Sequence, residues 1–143
     1  MTFPPDELVH ASCIAIGGRG VLLAGASGTG KSDLALRLID RGAKLVSDDY
    51  TELRQVGEIL LARAPETIAG KIELRGVGIV ELDADADVPV CLYADLDRIA
   101  ERLPEAQTIV LAGQLVPLVA LAALEPSAPL KLEYALVRFG LPL

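Results

Sequence analysis

Apolar runs of strand length, broken by glycines, fill the first half of the chain, and one run of helical period lies among them. Residues 9–16 and 20–24 are apolar and flank Gly17-Gly18-Arg19, which predicts a hairpin. Residues 33–41 repeat at helical spacing and stop at Gly42, with a basic last turn before the glycine. Lys44-Leu45-Val46-Ser47 predicts a second strand, which delivers Asp48 and Asp49 at its C-terminal end. Residues 51–54 and 59–63 flank Gln55-Val56-Gly57-Glu58 and predict another hairpin.

The second half is less regular. Residues 71–81 mix charges and glycines into a strand-like run, and glycines inside such a run suggest a bulge or a backbone close to a ligand. Residues 83–87 alternate Asp with Ala and read as a solvated turn. A strand is expected over 88–93, a short polar helix over 95–103 and one or two buried strands over 109–124. Residues 126–129 break the chain with two prolines, and 130–139 read as a final amphipathic helix. Residues 1–5 look like a loose start. Many strands with few helices predict one α/β domain over 1–143, a compact core carrying antiparallel hairpins.

The 143 residues suffice for one core. The chain is 52% hydrophobic but only 3% aromatic, so that core must be aliphatic. A net charge of −7 without a basic run argues against a nucleic-acid partner. Cys13 and Cys91 fit no metal spacing and sit in apolar stretches, as buried thiols of a reducing compartment would. No signal-peptide pattern is visible, and Gly113, Gln114 and Pro117 interrupt the longest apolar tract before it reaches bilayer length. A cytoplasmic protein without a membrane partner is expected.

The chemistry is concentrated in Gly25-Ala26-Ser27-Gly28-Thr29-Gly30-Lys31-Ser32, a complete GxxxxGK[ST] pattern between an expected strand and an expected helix. In that context backbone N–H groups and the helix N-terminus form a cradle for phosphates. Lys31 would reach the β- and γ-phosphates of a nucleotide such as ATP, and Ser32 would ligate Mg²⁺. Ligands of parallel sheets gather at the carboxyl ends of strands, so Asp48 and Asp49 should face the triphosphate. A doubled acid at that place suggests catalysis as well as metal binding.

With these features in view, the chain resembles the catalytic domain of HPr kinase/phosphorylase, the bacterial enzyme that phosphorylates a serine of the phosphocarrier HPr. The resemblance rests on His10 ahead of the loop, on the loop itself, and on Leu38-Ile39-Asp40-Arg41-Gly42 leading to Leu45-Val46-Ser47-Asp48-Asp49. It rests further on Ile72-Glu73-Leu74-Arg75-Gly76-Val77-Gly78-Ile79, close to the family's signature segment, and on Glu101-Arg102-Leu103. It is dense over residues 9–82 and thin afterwards. On this reading no counterpart of the family's usual N-terminal domain is expected, and Glu125-Pro126-Ser127-Ala128-Pro129 stands in the region of an arginine-asparagine segment linked to the phosphorylase reaction. Compact versions of this kind look like those of alphaproteobacteria.

The resemblance implies a P-loop-containing mixed sheet of the kind shared by HPr kinase and phosphoenolpyruvate carboxykinase. It also implies an HPr-like phosphocarrier as partner, ATP and Mg²⁺ as cofactors, and hexameric assembly. Glu73 would join Ser32 at the metal, and Asp49 would accept the proton of the substrate serine. In the reverse, phosphorylase direction Asp49 would return that proton. His10 would orient or charge-balance the pair, and Arg75 and Arg102 would belong to the active site. Two other functions stay open: a small-metabolite kinase sharing only the loop, and an ATP-sensing module in which no phosphate moves.

Overall fold

The computed structural model describes residues 5–143; of the expected loose start, residues 1–4 lie outside them. Among the described residues, nine strands form one mixed sheet. The expected first strand is split at His10 into β1 (Glu7–Val9) and β2 (Ala11–Ile16), and β3 (Arg19–Ala24) returns antiparallel to β2. α1 (Lys31–Asp40) follows the glycine loop, and β4 (Lys44–Ser47) then pairs with the far side of β2. β5 (Thr51–Val56) and β6 (Ile59–Arg63) form the second expected hairpin, with β1 along β5.

Residues 71–81 fold as a two-stranded hairpin set off from the main sheet, β7 (Lys71–Leu74) and β8 (Gly78–Glu81). The expectation of one interrupted run is corrected here: Gly76 and Gly78 have φ of 86° and 114°, a turn-forming conformation, and Val77 N–H closes the turn on Leu74 O. The expected solvated turn at 83–87 also serves as an edge contact, because Ala84 bridges Leu45 of β4.

β9 (Val88–Asp95) is the backbone of the sheet. It runs parallel to β3 along one side, and its other side is shared between β6 at its start and β11 at its end. The helix expected over 95–103 does not form. Asp95 ends β9, Leu96 N–H bonds Ala24 O, and Asp97 N–H bonds the Asp95 carboxylate. Ile99 and Leu103 are 91% and 84% exposed, so the segment has no apolar face to bury, and a short helix without tertiary packing is not stable. The tract 109–124 lies mainly in β10 (Gln107–Leu111) and β11 (Gln114–Ala120), and it is only half buried: Val110 and Leu115 face solvent. α2 (Ala128–Phe139) begins before the expected position, with Pro129 inside its first turn, where a missing N–H costs nothing.

The alternation of β2 divides the core. Ile14 faces a cluster with Leu34 and Leu38 of α1 and Leu132 and Leu136 of α2. Ala11, Cys13 and Ala15 face Leu53, Leu60 and Val116 of the hairpins on the other side. Burying each leucine is worth roughly 1.5–3 kcal/mol. Both clusters are aliphatic, and both cysteines are buried and unpaired, as the sequence predicts. Arg41 joins α1 to α2 through Glu133 at 2.8 Å. Among the described residues no helix is long and apolar enough to cross a membrane.

Candidate active site

The strand order sets the site. β2 lies antiparallel between β3 and β4, so its N-terminal end meets the C-terminal ends of both neighbours: Ala11 pairs with Ala24, and Cys13 with Ser47. The loop after β3 and the acids after β4 therefore stand on one edge, two strand spacings or roughly 10 Å apart. His10 emerges between them.

Lys31 is buried at the start of α1, and its Nζ donates to Gly25 O at 2.8 Å and Ala26 O at 3.4 Å. Gly30, at the N-cap, has φ 99°, and a Cβ there would lie 2.7 Å from the Leu124 side chain. Leu124 is held over the loop because the Arg37 guanidinium donates to the carbonyls of Ala123 and Glu125. The loop's other shoulder is fixed by Asp97, whose two carboxylate oxygens accept from Ala26 N–H at 2.9 and 3.2 Å.

The two acids occupy different environments. Asp48 is buried and accepts from Ser32 Oγ at 2.6 Å, Ser12 Oγ at 3.3 Å and Glu73 N–H at 2.9 Å. Asp49 has a side chain 51% exposed, 2.9 Å from His10 Nε2 and 3.8 Å from Lys31 Nζ. Its φ of 69° is left-handed, a conformation uncommon outside glycine but tolerated by Asp. The turn is closed by Tyr50 N–H on Asp48 O and by Ser47 Oγ on Tyr50 O. The Tyr50 ring stacks on the His10 imidazole with centroids 5.0 Å apart.

Opposite the loop, the β7–β8 hairpin forms the second wall of a cleft of about 840 Å³. Lys31, Ser32, Asp48, Asp49, Glu73 and Arg75 all line it, with Ser27, Gly28 and Gly30 from the loop. Gly25 and Ala26 reach the site through their carbonyls on Lys31, and Thr29 braces the loop by donating to Ala26 O. Arg102 is not brought in: it lies on the exposed segment between β9 and β10 and does not line the cleft.

Among the described residues no group of three or more His, Cys, Asp or Glu is placed to hold a metal by itself. The Ser32 hydroxyl and the Asp48 and Glu73 carboxylates are hard oxygen donors on one cleft, which fits a Mg²⁺ that takes its other ligands from water and phosphate.

Sequence reasoning missed Ser12, Tyr50, Asp97 and Leu124. A hydroxyl inside the apolar run Ala11-Ser12-Cys13-Ile14 was the available signal for Ser12. Asp97 follows the strand beside β3, but that adjacency exists only once the strands are paired.

The family described as HPr serine kinase C-terminal domain matches residues 1–85. An HPr kinase/phosphorylase of Clostridium acetobutylicum is 39% identical over 80 residues, which cover 56% of this chain and 26% of that protein. One from Caldanaerobacter subterraneus is 47% identical over 79 residues, covering 54% and 26%. This chain thus aligns with about a quarter of the length of these curated relatives. The structure of the Hpr(Ser) kinase/phosphatase from Coxiella burnetii superimposes with a TM-score of 0.79 at 30% identity, covering 92% of this chain and 94% of that one. The loop, the acid doublet and the Glu73–Gly78 segment all fall within the matched residues, and by that match the chain belongs to the HPr serine kinase C-terminal domain family.

Proposed function

We propose that this chain is a protein-serine kinase that transfers the γ-phosphoryl group of ATP to an HPr-like phosphocarrier, with Mg²⁺ held in the cleft. One observation carries the reading: three stretches far apart in sequence, ending in Lys31-Ser32, Asp48-Asp49 and Glu73-Leu74-Arg75, line the same cleft. Phosphoryl transfer asks a protein chiefly for positioning and charge stabilisation.

Lys31 sits at the loop's inner end, where its ammonium offsets charge on the β- and γ-phosphates. Ser32 and Glu73 would hold the metal, with Asp48 hydrogen-bonded behind Ser32. When bound there, Mg²⁺ would supply positive charge next to the phosphate oxygens. Asp49, exposed to the cleft, accepts the seryl proton as that oxygen bonds to the γ-phosphorus and the bond to the β-phosphate oxygen breaks. His10 balances the charge of Asp49 and fixes its orientation, and Arg75 faces the transferred group from the hairpin. The exposure of Asp49 favours a catalytic site over a sensing module, which has no use for a base held open to an acceptor.

The test is to incubate the protein with ATP, Mg²⁺ and an HPr-like carrier and to follow the carrier's serine by mass spectrometry. Phosphoserine is expected. Normal nucleotide binding without it would overturn the proposal, and transfer to a metabolite with no carrier present would establish the small-metabolite kinase instead. Supplying phosphocarrier and inorganic phosphate tests the phosphorylase direction in the same assay. Cytoplasmic location and hexameric assembly belong to this reading as well, the latter checked by light scattering.

A further inference from the structure

The acid doublet is supported from beneath by a residue outside every motif. Ser12 is fully buried in β2, the strand between the loop's strand and the acids' strand. Its Oγ donates to Asp48 Oδ1 at 3.3 Å and accepts from Asp49 N–H at 3.0 Å. A hydroxyl has one proton and two lone pairs, so a single serine serves both partners at once.

Each bond has a consequence. The bond to Asp49 N–H holds the residue that sits at φ 69°, a left-handed state uncommon outside glycine that its surroundings help to maintain. That backbone state aims the Asp49 carboxylate at His10 and Lys31. The bond to Asp48 Oδ1 lands on the same oxygen that accepts from Ser32. Ser12 therefore hydrogen-bonds both members of the doublet, from a buried position outside the cleft lining.

We propose that Ser12 is a positioning residue for phosphoryl transfer, setting the angle of the Asp49 carboxylate relative to the Ser32–Asp48 pair. This rests on the assignment of Asp49 as the base. Nothing in it requires Ser12 to touch nucleotide or acceptor.

The experiment compares Ser12→Ala and Ser12→Thr with the parent chain, measuring kcat for carrier phosphorylation, the Kd of Mg²⁺–AMP-PNP, and the Asp49 amide resonance in 1H–15N spectra. Ser12→Ala is expected to lower kcat about tenfold or more, with Kd within about twofold, because the loss falls on alignment and not on phosphate binding. The Asp49 amide should shift upfield and exchange faster with solvent. Ser12→Thr retains the hydroxyl and should restore both kcat and the amide signal.

An Ala variant with unchanged kcat, or one whose kcat and nucleotide affinity fall together, overturns the proposal. If Ser12→Ala does not fold, Ser12→Cys decides: a thiol fills the slot with a much weaker hydrogen-bonding group, so an unchanged kcat sinks the idea and a tenfold loss upholds it. If the parent chain phosphorylates no carrier, the proposed function fails first, and the Asp49 amide still reports whether Ser12 holds it.

Discussion

Ser32 donates its hydroxyl to Asp48 at 2.6 Å, joining the last residue of the glycine loop to the end of β4. Asp48 takes the backbone N–H of Glu73 on its other oxygen, so the loop and the hairpin wall of the cleft are tied to the same carboxylate. A cation entering the cleft meets oxygens whose positions are already set relative to one another.

Removing the hydroxyl should therefore weaken the metal more than the nucleotide. Ser32→Ala is expected to raise the Mg²⁺ concentration needed for half-maximal turnover by about tenfold or more, the worth of one lost ligand or of a group that orients one. A Mg²⁺ titration at saturating ATP checks it.

Asp49→Asn should reduce kcat by roughly 10²–10⁴, the usual contribution of a general base, while nucleotide affinity changes little. Single-turnover kinetics beside a calorimetric Kd would separate the two. Phosphorylation that survives the substitution removes Asp49 from the role of base.

Gly30→Ala should destabilise the loop for two separable reasons. Its φ of 99° is strained for any side chain, and the new methyl would press on Leu124 at 2.7 Å. Adding Leu124→Ala should relieve the second effect and leave the first, about 1–2 kcal/mol. Thermal melts of the single and double variants, with and without nucleotide, would show that partial recovery.

Burial pushes the Cys13 thiol above the ordinary range, and it raises Cys91 too, against the partial relief offered by Arg19. The unfolded chain loses these protons above about pH 8.5, whereas the folded chain keeps them. Above that pH the unfolded state binds fewer protons, so the stability that is whole at lower pH declines as pH rises. For Cys13 the decline steepens as the unfolded thiol becomes more fully ionised. Urea midpoints between pH 7.5 and about 9, where tyrosine is still largely protonated, should fall more steeply for the parent than for Cys13→Ala.

What was legible in the sequence was whatever depended on local order. α1, β4 with the acids that follow it and the two early hairpins are each specified by neighbouring residues, and each is present. The two carboxylates could be picked out because they follow a strand directly. What escaped was fixed by partners distant in the chain. The segment after β9 reads as a polar helix, yet its Asp97 is committed to Ala26 N–H and its Leu96 N–H to Ala24 O. Ser12 and Tyr50 acquire meaning only when β2 is laid beside β4 and His10 comes under the tyrosine ring. The turn inside 71–81 was marked by its glycines, but a bulge and a hairpin share that mark until Lys71 is seen opposite Glu81.

β2 alternates a hydroxyl with thiol and methyl groups, and its pairing with β4 shifts once, between Cys13 and Ile14. Moving that ribbon by a single residue would exchange its two faces. Cys13 or Ala11 would then stand under the doublet, Ser12 would be driven into the aliphatic layer, and neither the loop nor the acids would have changed place. Under the proposed function, a misthreaded chain of this kind would look folded and bind nucleotide while transferring nothing, so the alignment of six residues would join folding fidelity to catalytic competence.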